Sequence, residues 1–488
     1  MSWILTILIA LPIAGAVLVA LSPRDQRQLP RVLATSFAAA ALLLALYAYF
    51  SYDQAGGGLQ LVDRVEWIPS VGVTYLLGAD GLSLPLIVLT ALLTFLACIA
   101  SWNVDFRVKE YFAYLLVLEA GVIGVFSAGD LLLFFLFWEV EIIPMYLLIG
   151  IWGGPRREYA AIKFVVYTLL GSALMLFGIL LLYFNGPEPR TFEIAALGQH
   201  SYVPAVANLA FLLLLFGFAV KLPSFPLHTW LPDAHVEAPT AVSVILAGVL
   251  LKMGGYGLLR LNVGILPDAT KHFALLLAIL AVVSVLYGAA VSMVQRDLKA
   301  LVAFSSISHM GYVMLGIAAL NAISLNGAAI QMFTHGTITA LLFLVVGSIY
   351  DRAHTRDIPA LRGLAPRMPI VATVFVIAGL ASLGLPGLSG FIAEFTVFVG
   401  SFSTLGWATI LAAFGIVITA GYILWTLQRV LFGPADERWK GLGDVSFREA
   451  VPLVSLAALI VLIGVYPAIL TDLIEAGVAP LAAGVSGP

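Results

Sequence analysis

The sequence predicts an all-α polytopic membrane protein with about 14 transmembrane helices, two of them broken. Three observations predict it. The chain is 61% hydrophobic and only 10% charged over 488 residues, with a mean hydropathy of +1.05, far outside the range of water-soluble domains. Its apolar residues fall into runs of about 20, the length that spans a bilayer. Its lysines and arginines gather in alternate connections. The single cysteine, Cys98, lies in an apolar run and excludes an intrachain disulfide or a cysteine-ligated iron–sulfur cluster within the chain.

Taken in order, the expected segments are 2–21, 31–51, 82–102, 111–128, 131–151, 163–184, 207–240, 241–262, 272–294, 300–320, 326–350, 369–402, 406–431 and 451–472. The first is apolar with no basic flank and reads as an uncleaved helix rather than a signal peptide. Segments 207–240 and 369–402 are long enough to hold a non-helical turn, so each counts as one crossing. The earlier one breaks at KLPSFP (221–226), where proline removes backbone hydrogen bonds beside a lysine. The later one breaks at GLPGLSG (384–390). Five helices separate the two breaks, so they cross in opposite directions, as an inverted repeat of five-helix units requires.

The chain therefore divides into residues 1–110 (helices one to three), 111–262 (first repeat, helices four to eight), 272–431 (second repeat, helices nine to thirteen) and 432–488 (helix fourteen and a tail). Connections that follow odd-numbered helices carry 17 lysines and arginines, from Arg24 to Arg448, against four (Arg64, Arg190, Arg260 and Lys271) in the others. The positive-inside rule places the basic connections in the cytoplasm and both termini on the opposite side of a bacterial plasma membrane, or on the equivalent sides of a thylakoid. No extramembrane domain is expected.

Few charges remain inside the apolar segments. They are Glu119 in helix four, Glu139 and Glu141 in helix five, Lys221 in helix seven, Lys252 in helix eight and Glu394 in helix twelve, joined by His228, His309 and His335. Ionisable groups are costly in a bilayer, and discontinuous helices that carry them build ion sites near its midplane. Glu139 and Glu141 stand roughly 200° apart around a helix, so only one can belong to an axial chain. Lys252 is followed by Gly254 and Gly255, which permit close helix approach or a local opening of the backbone. Ser305, Ser306 and Ser308 beside His309, and Thr337 near His335, can carry a hydrogen-bonded water chain, or can simply be satisfied polar contacts. An acid–base pair ~5 Å apart at an effective dielectric of ~20 interacts by roughly 3 kcal/mol, about two pKa units, enough to load and unload a proton carrier. His228 suits a half-helix cap, His235 is expected at the membrane surface with Asp233 and Glu237, and Phe134, Phe135, Phe137 and Trp138 are expected to face lipid or pack. With no phosphate loop, dinucleotide fingerprint or haem-type histidine pair, the chain is expected to move ions without handling electrons and to bind no cofactor or metal.

Five stretches carry a resemblance. FWEVEIIPMYLLIGIWGG (137–154), VKLPSFPLHTWLPDAHVEAP (220–239), LLKMGGYGLLR (250–260), SSISHMGYVMLG (305–316) and GLPGLSGFIAEF (384–395) resemble the antiporter-like subunits of respiratory complex I, over roughly residues 75–435. Glu394 stands where the L and N types and the related Mrp antiporter chain usually carry lysine, so the sequence is most similar to the M type, called the D type in the cyanobacterial and plastid NDH complex. The resemblance implies a fourteen-helix fold with two inverted repeats and outward proton translocation driven by distant quinone reduction. It matches Glu139, Lys221, Lys252 and Glu394 to the family's key charges, and His309 and His335 to its hydrophilic axis. Glu139 and Lys221 are then the expected switching pair, Lys252 relays through water with His309 and His335, and Glu394 exchanges protons with the outer side. Glu119, Glu141 and His228 are secondary candidates. Iron–sulfur clusters, quinone and FMN would belong to other subunits. The implied partners are L- and N-type neighbours and lipids, not nucleic acid. The alternatives are a subunit of an Mrp-type cation/proton antiporter, which sodium-dependent transport without redox subunits would reveal, and a structural subunit that has lost transport.

Overall fold

The structure, a computed structural model, describes every residue except Met1, Ser2, Arg24, Ala435, Asp436, Gly487 and Pro488. The start of the first expected segment at Ser2 and the basic residue Arg24 thus lie outside the described residues. Among the described residues, 14 helices are long and apolar enough to cross a membrane, counting Ser389–Leu431 once and including the last, Ala468–Val485. Spans 1 to 6 are Ile4–Leu21, Gln28–Phe50, Ser83–Ala100, Val108–Ser127, Leu131–Trp152 and Arg157–Phe184. Span 7 is Pro204–Lys221 followed, after a break, by Trp230–Glu237. Spans 8 to 11 are Thr240–Val263, Ala274–Met293, Leu298–Ala318 and Ala322–Ala353.

The 43-residue helix Ser389–Leu431 would measure about 65 Å if straight, twice the hydrocarbon thickness. Non-helical backbone at Leu405 (φ −129°, ψ 48°) folds it back. At one membrane face the Asn321 side chain donates to the Gly400 carbonyl (2.8 Å) and the Thr404 hydroxyl to that of Ala319 (3.2 Å). At the other, the Leu364 and Ala365 N–H groups bond Val430 and Leu431. Pro369–Ser382 and the first half of this helix therefore make span 12, broken as expected, and the second half makes span 13. Phe447–Val465 is span 14.

Three features depart from the expected pattern. Residues Gln60–Ile68 and Val73–Ala79 form an antiparallel hairpin between spans 2 and 3, so the fold is not wholly helical. The stretch QLVDRVEWI is rich in the β-branched and aromatic residues of a strand, and Pro69 and Gly72 frame its turn. The hairpin is tied down by the Trp3 N–H donating to Asp63 Oδ1 (2.5 Å) and by an Arg64–Glu193 ion pair (2.6 Å). Span 14 ends at Val465 rather than 472, because Pro467 cannot continue the helix. The chain then enters a last helix, Ala468–Ser486. This helix lies across the ends of other spans: the Ile469 carbonyl accepts from the Tyr49 hydroxyl, and Gly81, Leu82 and Gly264 lie against Leu473, Gly477 and Leu481. A side chain at Gly81 would strike the Leu473 carbonyl.

A backbone clasp recurs on both faces of the molecule. Between spans 4 and 5, Leu131 and Gly129 pair with Phe192 and Ile194 of the connection that precedes span 7. Five spans later, Leu298 and Arg296 pair in the same way with Arg356 and Ile358, which precede span 12. Each clasp contains a capping aspartate. Asp130 accepts from the Leu132 and Leu133 N–H groups (2.9 and 3.1 Å) and, across to the hairpin, from Thr74 (3.1 Å). Asp297 accepts from Lys299 and Ala300 (2.7 and 3.1 Å). Asp130→Ala orphans three backbone donors, and we expect a cost of about 1–3 kcal/mol, read as a lower melting temperature of the solubilised protein. Asp297→Ala, which orphans two, should cost less.

Span 8 is buried all round and spans 10 and 11 nearly so, whereas spans 1 and 2 show most of their surface. The centre of the bundle is thus the part of the chain that carries Lys252, His309 and His335.

Candidate functional site

The break in span 7 is where the site begins. Lys221 is the last residue of its helix, and the Trp230 indole N–H donates back to the Val220 carbonyl at 2.9 Å, folding the second half-helix onto the break. Span 8 meets this break backbone to backbone. A Cβ on Gly254 would come within 2.6 Å of the Phe218 carbonyl and 2.7 Å of the Leu222 nitrogen, so glycine is what allows the approach.

The Lys221 ammonium is bonded to Glu141, with both side chains buried. Its nitrogen also stands 5.5 Å from the Trp138 ring and 5.4 Å from Phe164, where the negative faces of the rings favour a cation. This corrects one expectation and meets another. The lysine's partner is Glu141, not Glu139, and Trp138 packs, buried against Phe134 and Phe218, beside the site. The helix Leu131–Val140 gives way at Glu141 to Ile142–Trp152 with the Glu141 backbone still helical (φ −74°, ψ −23°), so the two carboxylates stand on opposite sides of the span and Glu141 is the one that meets Lys221. Glu139 points elsewhere, is only half-buried and has an unpartnered Oε1. It nevertheless remains within charge reach of Glu141.

Further along span 8, two π-helical stretches, Leu246–Leu250 and Leu258–Val263, interrupt the α-helix. Wider winding offsets carbonyls from their usual donors, and the Lys252 ammonium bonds one of them, that of Ala247. The same ammonium lies 2.7 Å from His335 Nδ1. An ammonium only donates, so a charged Lys252 requires Nδ1 to be the acceptor. The His335 ring is 5.6 Å from that of His309. His309 in turn uses both nitrogens, Nδ1 at 3.0 Å from Glu394 Oε1 and Nε2 at 3.2 Å from the Ser382 hydroxyl. Glu394 sits just past the break in span 12. There Gly384 holds φ +76°, and a side chain on it would meet the Glu394 carboxylate at 2.9 Å.

The structure thus assembles Lys252, His335, His309 and Glu394 into one buried row, while the Lys221–Glu141 pair lies at the break in span 7 that span 8 meets at Gly254. Ser382 was not singled out in the sequence; its hydroxyl two residues before the Gly384 turn was the available signal. Two secondary candidates stand apart. Both Glu119 oxygens lack a protein partner and the residue lies by Cys98, while His228 packs between Phe225 and Tyr287. Along the row, Gln331 Oε1, Thr334 Oγ1, His335 Nε2 and Glu141 Oε2 are buried without protein partners. Such polar, enclosed positions are where internal water is held.

Residues 128–419 match the family described as NADH:quinone oxidoreductase/Mrp antiporter, TM, and residues 59–120 match NADH-ubiquinone oxidoreductase chain 4, amino terminus. NAD(P)H-quinone oxidoreductase chain 4 of Gloeobacter violaceus is 45% identical over 96% of this chain and 90% of its own length. A chain in the structure of respiratory complex I from Thermus thermophilus with bound NADH is 31% identical, with a TM-score of 0.92 over 99% of this chain and 100% of that one. A chain of the Mrp complex from Dietzia sp. DQ12-45-1b superposes with a TM-score of 0.88 over 100% of this chain and 99% of that one, at 24% identity. That last likeness is one of fold alone. The chain belongs to the antiporter-like membrane subunits of NAD(P)H-quinone oxidoreductase, of the type called chain 4.

Proposed function

We propose that the buried row carries protons across the membrane arm of the complex, from the basic face to the opposite one. The observation that carries this reading is continuity: Lys252, His335, His309 and Glu394 follow one another through a 2.7 Å contact, a 5.6 Å ring contact and a 3.0 Å hydrogen bond. Each can hold or release a proton, and each is buried, so charge on one raises the cost of charge on the next. Lys221 and Glu141 act as the switch. While paired, Glu141 holds the Lys221 proton in place; when they part, the desolvated lysine gives its proton up toward Lys252 and the row is loaded. Glu139 is a second carboxylate to which Lys221 can turn. Glu394, at the turn of span 12, exchanges protons with the far side. Ser382 fixes the tautomer and orientation of His309. Electrons come from other subunits, whose iron–sulfur clusters, FMN and quinone supply the driving reaction; L- and N-type subunits flank this one. The basic face lies in the cytoplasm of a bacterium and both termini on the outer side, in accordance with the distribution of lysine and arginine.

The test is purification of the complex from its native membrane, identification of its companions by mass spectrometry and reconstitution into vesicles. Addition of electron donor and quinone should generate a pH gradient that a protonophore collapses. Recovery of the chain with Mrp-type subunits only, or alone, would overturn the reading.

A further inference from the structure

The second half of span 7 carries a histidine that the row does not use. The neighbouring Asp233 and Glu237 suggest a surface position for His235, but it is completely buried. Its ring stacks on Phe343 of span 11, with centroids 4.5 Å apart at 15°, and neither ring nitrogen has a protein partner. Leaving a buried polar group unsatisfied costs about 1–3 kcal/mol, so the imidazole is placed for water.

Span 11 shows where that water leads. Gly347, Phe343, Thr339 and His335 recur every four residues and share one face of the helix. Gly347 lines a cleft of about 420 Å³ at the basic face, with Glu237, Thr240, Lys299, Asp351 and Arg356. At 1.5 Å per residue, Phe343 lies about 6 Å deeper than Gly347, and His335 about 12 Å deeper again. His235 is held at the level of Phe343, between the cleft and the row. It lies within electrostatic reach of Lys299 on the cleft side and of Lys252 and His335 on the other. His335 Nε2 is itself without a protein partner. Three imidazole nitrogens thus open onto one stretch between cleft and row.

We infer that His235 is the entry relay of the pathway, taking protons from the cleft and passing them through water to His335 and Lys252. A proton binds one ring nitrogen from the cleft side while the other ring nitrogen releases its own inward, and a tautomer change resets the ring. The inference rests on the transport reading proposed for the row.

The experiment compares three forms of the intact complex in vesicles, read as membrane potential because imidazole dissipates pH gradients. His235→Ala should lower pumping by about tenfold at unchanged complex content, and imidazole in the medium, small enough for the cleft, should restore it. Wild-type pumping in His235→Ala, or a loss that imidazole leaves untouched, overturns the inference. If the alanine variant does not assemble, His235→Gln serves: loss of pumping with the dehydrogenase reaction intact supports the relay, and undiminished pumping sinks it. Lys221→Arg in the same assay separates the two readings. If neither variant lowers pumping, the transport reading itself falls; if Lys221→Arg alone does, only the role of His235 is wrong.

Discussion

Lys221→Arg should leave the complex assembled and stop its proton pumping. Arginine keeps a positive charge beside Glu141 and between Trp138 and Phe164, so the packing of the break retains its ion pair. It does not give up a proton, because a guanidinium stays charged throughout the accessible pH range. The variant thus separates a lysine that holds helices together from one that carries protons. We expect pumping to fall by about tenfold or more, at least ~1.4 kcal/mol in the transfer barrier, with subunit content unchanged. Lys221→Met should give the same functional loss by another route. An unpaired carboxylate at the buried Glu141 site would cost about 3–5 kcal/mol, so Glu141 takes up a proton and the switch falls silent. Wild-type proton yield per electron in Lys221→Arg would make the pair purely structural. Glu141→Gln removes the ion pair and Glu139→Gln leaves it standing, so comparing them shows which carboxylate the lysine answers to.

The second large effect is expected at the other end of the row. Glu394→Gln preserves the size of the side chain and can still hydrogen-bond His309, now at 3.0 Å from the carboxylate, but it cannot hold the proton that leaves the imidazole. Pumping should drop by about tenfold, while electron transfer from donor to an artificial acceptor stays at its wild-type rate. Glu394→Asp, one methylene shorter, should recover part of the loss by reaching His309 through water. A fully active Glu394→Gln enzyme would mean that protons leave by another exit.

The residues legible in the sequence were those whose mere presence is expensive. Lys221, Lys252 and Glu394 stand out because a charge inside an apolar run needs a reason, and the prolines and glycines beside two of them announced the broken helices. The choice between Glu139 and Glu141 was not legible, because their spacing sets them on opposite sides of a helix and only the packing of that helix decides which side meets Lys221. His235 was misplaced for a related reason. Its acidic neighbours favour a surface position, and residues distant in sequence, such as Phe343 more than a hundred residues away, bury it. The hairpin at 60–79 did carry a signal, the valines, isoleucine and tryptophan of Gln60–Ile68 ahead of Pro69 and Gly72, masked in a chain otherwise read for runs of twenty. The last helix turned on Pro467, which divides a stretch whose hydropathy alone is continuous.

The π-helical turn at Leu246–Leu250 gives the length of span 8 a meaning of its own. A π turn accommodates one residue more than the α-helix would, and each residue advances the helix by about 100°. Lys252 therefore faces His335 only because the extra residue is spent just before it. Removing one residue from that turn would restore a regular helix, leave every charged side chain in the chain, and still swing the lysine about a quarter-turn away from its histidine. In this stretch the chain stores information as a count of residues as well as in their identity.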